Sequence, residues 1–277
     1  MQYCDRKTEL EMTAALSLDP AEVEKFSKLA AEWWNPKGKF GVLHVFNPVR
    51  LQYIKEQVCA RFARDPFERQ PFAGLRFLDI GCGGGLLSEP MARLGADIVG
   101  VDPSDKNIQT ARIHAEEQEL AIDYRVGTAE DLAAAGETFE VILNMEVIEH
   151  VINPQAFTRA CSSMLKPNGL MFIATINRTL KSFGLAIIGA EYVLGWLPKG
   201  THQWEKFITP VELKGWLGEN GVAVKDESGV TYASLQNEWR KSRDMGVNYM
   251  VVGQKIPASS SSLSPSPAVM TGPSPVR

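Results

Sequence analysis

The sequence predicts an α/β protein with a doubly wound, mostly parallel sheet, and two observations carry this prediction. An apolar run that ends in Asp79 is followed by a turn with four glycines in the range 81–85 and then by a helical stretch. A second apolar run ends in Asp102, roughly 20 residues further along the chain. A glycine turn after the first strand and an acid after the second are typical of a nucleoside-binding site in this fold class.

The composition indicates one large globular domain with extensions. The chain has 277 residues, of which 44% are hydrophobic and 22% are charged, which is enough to bury a substantial core. The net charge of −4 gives no reason to expect a nucleic acid partner, which would favour a basic face. The four cysteines are scattered, without a C-x-x-C pair, which favours a reducing compartment and predicts neither a disulfide framework nor a zinc site.

The N-terminal region is expected to contain a flexible arm, 1–20, followed by two helices. It shows no signal-peptide pattern, and no apolar run of the chain reaches the length of a membrane span. Asp19 is the expected N-cap of the first helix, with Pro20 in its first turn. The second helix is expected to run to about Phe62. Both helices precede the first strand, and we expect them to cap the ligand-binding edge of the sheet.

The glycine turn predicts which cofactor binds. A dinucleotide fingerprint needs a third glycine where this chain has Leu86, and Asp79 would repel a pyrophosphate. An acid beside the glycines suits S-adenosylmethionine instead, because its ammonium and sulfonium groups are positive. Gly81 and Gly83 allow the cofactor to approach the backbone, and Asp102 is the expected ribose ligand. The pattern D-x-G-x-G followed by this second acid resembles the class I methyltransferases.

The rest of the chain continues the alternation of strands and helices. Ser104 is the expected cap of the helix after the second strand. Further strands are expected at 122–126, 139–144, 170–174, 222–230 and 248–254. The tail, 257–277, is rich in serine and proline, and we expect it to be disordered because it cannot bury a core. Residues 21–256 then form the folded domain.

Three chemically active side chains follow the fourth strand directly: Glu146, Glu149 and His150. If this stretch is helical, the three project to one side, because positions i, i+3 and i+4 share a helix face. Phenols titrate at about 10, so a phenolic methyl acceptor needs activation at neutral pH. Two alternatives remain open. Either a bound divalent cation (Mg²⁺, Zn²⁺ or Mn²⁺) lowers the pKa of the hydroxyl, or His150 accepts its proton while a carboxylate orients the ring.

Several longer motifs resemble the ubiquinone-biosynthesis O-methyltransferase family over about Ala21 to Lys255. They are Trp33-Trp34, Leu43-His44, 47–51 (NPVRL), 79–85 (DIGCGGG), 145–150 (MEVIEH), Asn177-Arg178, 189–192 (GAEY), 198–202 (PKGTH) and 247–250 (VNYM). The resemblance implies a seven-stranded Rossmann-like sheet whose last two strands form an antiparallel pair. It also implies S-adenosylmethionine as the cofactor and a polyprenylated phenol or catechol, methylated at a ring hydroxyl, as the substrate.

The resemblance implies roles for further residues. Arg50 is expected to contact the cofactor, and a guanidinium group suits its methionine carboxylate. Glu130, the acid after strand three, is expected beside the adenine amino group. Met145 is expected to form an apolar wall of the adenosine pocket. The family also implies a metal at the three side chains that follow strand four, at least in its mitochondrial members.

An apolar insertion, 178–207, separates strand five from the next helix. It is too short to cross a bilayer, but its borders are basic and aromatic. A helix at about 182–197 that lies on a membrane surface would bring a polyprenyl tail to the site. A lid that packs on the protein is the alternative, and the two roles are compatible. We therefore expect a cytoplasmic protein that associates peripherally with the inner membrane, on the matrix side if the source is eukaryotic.

Two other functions remain open at this point. One is a methyltransferase for a small soluble phenol or amine, which activity on water-soluble catechols without a lipid effect would support. The other is a cofactor-binding scaffold for other enzymes of ubiquinone biosynthesis, which are candidate partners in either case.

Overall fold

An eight-stranded sheet forms the centre of the structure, a computed structural model that describes residues 18–184, 204–233, 236 and 238–257. The strands, in chain order, are β1 Arg76–Ile80, β2 Asp97–Asp102, β3 Asp123–Val126, β4 Phe139–Met145, β5 Leu165–Ile176, β6 Val222–Ala233, β7 Glu238–Ser242 and β8 Asn248–Lys255. Their order across the sheet is β3-β2-β1-β4-β5-β8-β6-β7. The chain therefore reverses its winding direction between β1 and β4, which places a switch point beside the glycine turn.

The predicted fold class is confirmed, with one added strand. Strands β1 to β5 pair in parallel, and β8 pairs antiparallel with both β5 and β6. The prediction of seven strands omitted β7. This strand forms because β6 extends to Ala233 and the chain then returns antiparallel along it, with Gly229 opposite Ser242. The added strand lies at the edge of the sheet, away from the switch point.

Helices cover both faces of the sheet. They are α1 Pro20–Ser27, α2 Gly41–Phe62, α3 Ser88–Arg93, α4 Asp105–Glu117, α5 Ala129–Ala134, α6 Pro154–Ser163, α7 Leu180–Ser182 and α8 Pro210–Glu219, with 3-10 turns at Ala30–Glu32, Ile148–His150 and Trp204–Lys206. The expected caps are present: Asp19 Oδ1 accepts from the backbone N of Ala21, and Ser104 Oγ accepts from that of Asn107. Each cap satisfies a backbone donor that the helix itself leaves without a partner.

Two hydrophobic layers pack against the sheet. One face is covered by α2 and α3, whose Tyr53 and Met91 pack with Phe77 and Phe172 of the strands. The other face is covered by α5, α6 and α8. Because both faces are buried, the central strands are apolar on both sides, and the polar residues of the site concentrate at the carboxyl ends of the strands.

Helix α1 lies along this carboxyl edge. Ser27 Oγ donates to Ser104 Oγ at 2.6 Å, just after β2, and Glu22 bonds His150, just after β4. Lys206 Nζ bonds Asp19 Oδ2 at 3.0 Å at the beginning of the helix. The N-terminal helices therefore cap the edge at which the sequence predicts the cofactor.

Three predicted segments lie largely or wholly outside the described residues. These are the arm 1–20, of which only 18–20 are described, the insertion 178–207 beyond residue 184 and before 204, and the tail after residue 257. Among the residues that are described, no helix combines the length and the apolar character needed to cross a membrane.

Candidate active site

The glycine turn after β1 has a backbone that other residues would strain. Gly81, Gly83 and Gly85 have φ values of +65°, +54° and +88°, which L side chains rarely adopt. A Cβ at Gly83 would also lie 2.3 Å from Cζ2 of Trp33. The turn therefore needs glycine at this position for two reasons, its conformation and the close approach of the indole ring.

Asp102 is tied to the glycine turn at the end of β2. Its Oδ2 accepts from the backbone N of Gly83 at 3.1 Å, and its Oδ1 accepts from the backbone N of Ser104 at 2.8 Å and from Asn107 Nδ2 at 3.1 Å. Trp33 Nε1 donates in turn to Asn107 Oδ1 at 3.0 Å. Burial raises the pKa of Asp102, and these hydrogen bonds oppose the shift. The carboxylate predicted to hold the ribose is thus fixed in orientation.

Asp79 and Arg50 form a buried pair of opposite charges near the end of β1. Asp79 Oδ2 accepts from Ser88 Oγ at 2.6 Å. Burial raises the pKa of Asp79 to about 6, although Ser88 and Arg50 act to lower it. Arg50, on α2, donates to Asn47 Oδ1 and stacks 4.7 Å from the ring centre of Phe46. Its Nε has no hydrogen-bond partner among the described residues, so a donor remains available for an anionic ligand group.

Glu146 adds a second carboxyl group beside Arg50. Burial lowers the pKa of Arg50, and the charges of Glu146 and Asp79 oppose that shift. Oε1 of Glu146 is buried without a hydrogen-bond partner in the described part of the chain. A guanidinium group that interacts electrostatically with two carboxyl groups, with a donor and an acceptor left unused, is matched to a ligand that carries both an ammonium and a carboxylate.

The stretch after β4 is not the helix on which the prediction of a common face depended. Glu146 has a left-handed backbone with φ of +61°, and a 3-10 turn covers only Ile148–His150. Glu149 points into the protein, where its Oε2 accepts from Thr175 Oγ1 at 2.8 Å. Burial, together with the charge of Glu146, raises the pKa of Glu149 well above its usual range.

The His150 ring lies against α1. Its Nδ1 lies 3.0 Å from Glu22 Oε2, and its ring meets that of Phe26 edge-on at 5.1 Å. The described residues contain no group of three acidic, histidine or cysteine side chains that could hold a metal ion. The three predicted metal ligands therefore do not form such a group in the described part of the chain. Glu146 and Glu149 interact with each other, whereas the His150 ring bonds Glu22 of α1.

Two further predicted cofactor residues lie at the carboxyl edge. Glu130 is in the first turn of α5, directly after β3, where Thr128 and Asp131 form a capping box. Met145 is the last residue of β4 and is buried in the hydrophobic layer on the α2 side. Their contacts with a cofactor remain a proposal.

Comparison with known proteins identifies the family. The family described as methyltransferase domain matches residues 51–227. A ubiquinone biosynthesis O-methyltransferase from Mesorhizobium japonicum is 61% identical over 239 residues, which cover 86% of this chain and 96% of the relative. One of the same name from Parvibaculum lavamentivorans is 60% identical over 245 residues, or 88% of this chain and 97% of the relative.

The chain belongs to the ubiquinone biosynthesis O-methyltransferase family. The predicted enzyme class, an S-adenosylmethionine-dependent O-methyltransferase, is confirmed by this membership.

Solved structures confirm the fold of this O-methyltransferase. Magnesium protoporphyrin IX methyltransferase from Synechocystis, solved with bound S-adenosylhomocysteine, has a TM-score of 0.52 at 21% identity and covers 75% of this chain and 85% of its own. An S-adenosylmethionine-dependent methyltransferase from Clostridium acetobutylicum has a TM-score of 0.54 at 14% identity, with 74% and 90% covered. At these identities the likeness concerns the fold alone.

Several residues of the O-methyltransferase site are missed by the sequence prediction. Asn107 and Ser88 hold the two acids, and both follow a predicted turn at the start of a helix. Both lie in the first turn of the helix that follows the strand, and this position was an available signal. Glu22 had no such signal, because 128 positions separate it from His150. Asn144 is buried on β4 with neither side-chain polar atom bonded to another described residue, and nothing in the sequence marks it.

Proposed function

We propose that this chain transfers a methyl group from S-adenosylmethionine to a ring hydroxyl of a polyprenylated phenol or catechol during ubiquinone biosynthesis. The observation that carries the proposal is the arrangement of Arg50, Asp79 and Asp102 around the glycine turn, in a chain whose relatives bear the name ubiquinone biosynthesis O-methyltransferase. These three side chains offer one cation and two acids at the switch point of the sheet, where this fold class binds nucleosides.

The cofactor is proposed to lie across the carboxyl ends of β1 and β2. Its ribose hydroxyls donate to Asp102, and its adenosine passes the glycine turn at Gly81 and Gly83. Its methionine end places the carboxylate on Arg50 and the ammonium on Asp79. This orientation is supported by the unused Arg50 Nε and by the burial of both charged groups, since a buried charge gains most from an opposite charge.

The adenine end is proposed to lie beside Glu130, which offers a carboxylate to the exocyclic amino group from the first turn of α5. Met145, at the end of β4, is proposed as an apolar wall of the adenosine pocket. In-line transfer requires the sulfonium methyl to face the acceptor oxygen, and we propose that the acceptor lies beside the residues after β4.

Of the two predicted routes to hydroxyl activation, direct proton transfer to His150 is the one that the described residues support. The ring is anchored through Nδ1 at the turn after β4, and a neutral imidazole is a suitable base near pH 7. The O–H bond breaks as the oxygen attacks the methyl carbon, and the carbon–sulfur bond breaks with it. S-adenosylhomocysteine leaves, and the proton passes from His150 to water.

Access from a membrane is proposed for the polyprenyl tail. Leu180 and Phe183 are 85% and 43% exposed at the beginning of the apolar insertion, and the proposed contact region 182–197 follows, mostly outside the described residues. Exchange of Ile187 and Leu194 for Lys should weaken binding to anionic liposomes, since it removes apolar groups that would enter the headgroup region. Unchanged cosedimentation with liposomes would contradict the membrane role.

A methyl-transfer assay tests the proposed function. The purified protein is incubated with radiolabelled S-adenosylmethionine and either a short-prenyl catechol or a water-soluble catechol, with and without a chelator. We expect faster turnover of the prenylated acceptor, loss of turnover in His150→Ala, and binding of S-adenosylhomocysteine in calorimetry. No binding of that product would overturn the proposed function. Loss of turnover with chelator would overturn the metal-free route to activation but not the methyl transfer itself.

A further inference from the structure

We propose that Glu22 is a positioning residue for catalysis, which holds the His150 ring in the orientation that receives the proton of the acceptor hydroxyl. This inference rests on the proposed function of His150 and goes beyond it, because it assigns a role to helix α1. Helix α1 precedes the sheet in the chain, and Glu22 is the carboxylate on this helix that bonds His150.

The geometry fixes the ring from two sides. Glu22 Oε2 lies 3.0 Å from Nδ1, and the two side chains are only 12% and 17% exposed. Phe26, one helical turn after Glu22, places its ring edge-on to the imidazole at 5.1 Å. Residues four apart on a helix share a face, so α1 presents a hydrogen-bond acceptor and an aromatic edge to the same histidine.

The hydrogen bond selects the tautomer of the ring. When Nδ1 carries the hydrogen and donates it to a carboxylate, the lone pair is on Nε2, which becomes the nitrogen that accepts a proton. A carboxylate in this position also stabilises the imidazolium that forms during the reaction. Glu22 thus performs the orienting role that the sequence left to an unspecified carboxylate, and the buried Glu149 does not.

The surrounding charges keep Glu22 ionised. Burial acts to raise its pKa, but the hydrogen bond with His150 and the charges of Lys25 and Lys206 lower it, and the net pKa is below the usual value. Lys25 Nζ is 3.5 Å from the same Oε2. On the other side of His150, the carboxyl groups of the β4 turn are Glu146 and Glu149, both with raised pKa values.

Anchoring of α1 can be separated from positioning of His150. The helix is also attached through Ser27, which donates to Ser104 at 2.6 Å, and this contact is remote from the imidazole. Glu24 lies on the exposed side of α1 and pairs with Lys28 at 2.8 Å. Ser27→Ala therefore loosens the helix without touching the ring, and Glu24→Gln removes a charge of the same helix without touching the site.

The experiment measures steady-state turnover of a short-prenyl catechol by wild type, Glu22→Gln, Glu22→Asp, Ser27→Ala and Glu24→Gln. We expect Glu22→Gln to lower kcat by about 10- to 100-fold, as loss of an orienting partner of a histidine does. The KM values for S-adenosylmethionine and for the catechol should change less than about twofold. Glu22→Asp should recover part of the lost kcat. The two control variants should keep wild-type kcat. Nitrogen-15 NMR of labelled histidine should show the Nδ1–H tautomer of His150 in wild type and a tautomer mixture in Glu22→Gln.

Two results would overturn the inference. One is wild-type kcat in Glu22→Gln, and the other is an equal loss of kcat in Ser27→Ala, which would show that attachment of α1 is all that matters. The His150→Ala variant distinguishes failure of the positioning role of Glu22 from failure of His150 as the base. If it is inactive while Glu22→Gln is fully active, the role of Glu22 fails alone. If it is itself active, the proposed base fails.

Discussion

Binding of S-adenosylhomocysteine should weaken as the pH falls through about 6, because Asp79 then loses its negative charge. Its carboxyl group is buried, and burial raises its pKa from 3.8 to about 6. The ligand's ammonium remains positive throughout this range, so only the protein side of the pair titrates. Affinity is therefore highest above the pKa of Asp79 and declines below it.

The magnitude follows from the ionised fraction of Asp79. With a pKa of about 6, the carboxylate is about one-tenth populated at pH 5 and almost fully populated at pH 7.5. If only the ionised form binds, the dissociation constant rises about tenfold between those values, which is about 1.4 kcal/mol of binding free energy. Asp79→Asn cannot ionise at this position, so it should bind more weakly at pH 7.5 than wild type does at pH 5, with a nearly flat pH profile.

Calorimetric titration at pH 5, 6, 7 and 7.5 measures this dependence, with circular dichroism confirming that the protein stays folded. Asp105→Asn, which changes an exposed acid at the beginning of α4, should retain the wild-type profile. Any slope that remains in Asp79→Asn reports the titration of the other buried carboxyl groups of the site, Asp102 and Glu146, whose pKa values burial also raises. A full tenfold decline in the affinity of Asp79→Asn for S-adenosylhomocysteine between pH 7.5 and pH 5 would refute the assignment of the ligand's ammonium group to Asp79.

Two further variants test the packing of the site. Gly83→Ala should lower the free energy of unfolding by more than Gly136→Ala, because a Cβ at Gly83 meets Trp33 at 2.3 Å, whereas a Cβ at Gly136 meets no atom within 4 Å. Both glycines have positive φ, which alone costs roughly 1–2 kcal/mol in either variant. Equal losses of unfolding free energy in urea denaturation would contradict the steric argument. Thr175→Val should cost about 1–3 kcal/mol, since it leaves the buried Glu149 Oε2 without its donor, and an unchanged urea midpoint would show that this hydrogen bond contributes nothing.

The parallel part of the sheet could be predicted from the sequence because its signals are local. Each central strand is a short apolar run, and helices begin at residues such as Asp19, before the sheet, and Ser104, after β2, whose side chains cap the helix backbone. The edge strand β7 was missed, since its five residues, Glu238–Ser242, are mostly charged or polar and carry no apolar run. It forms by pairing with β6, which is a tertiary contact.

The candidate site was likewise predicted from the sequence only in part. Asp79, Asp102 and the glycines were predicted because strand ends and turns fix their positions along the chain. A common face for the three side chains after β4 was expected only if that stretch were helical, and it is not, because Glu146 adopts a left-handed backbone with its carboxyl group buried beside Arg50. Local spacing contains no information about that burial.

The sequence by itself determined the doubly wound fold, the family and the edge of the sheet that holds the chemistry, because each depends on residues that are neighbours in the chain. Only the tertiary structure decided which charges meet. It turned His150 toward Glu22, 128 positions away, and placed Arg50 of α2 beside two acids that follow later in the chain. The physical reason is that a hydrogen bond between remote segments depends on how helices pack across the sheet, and no local pattern of residues encodes that packing.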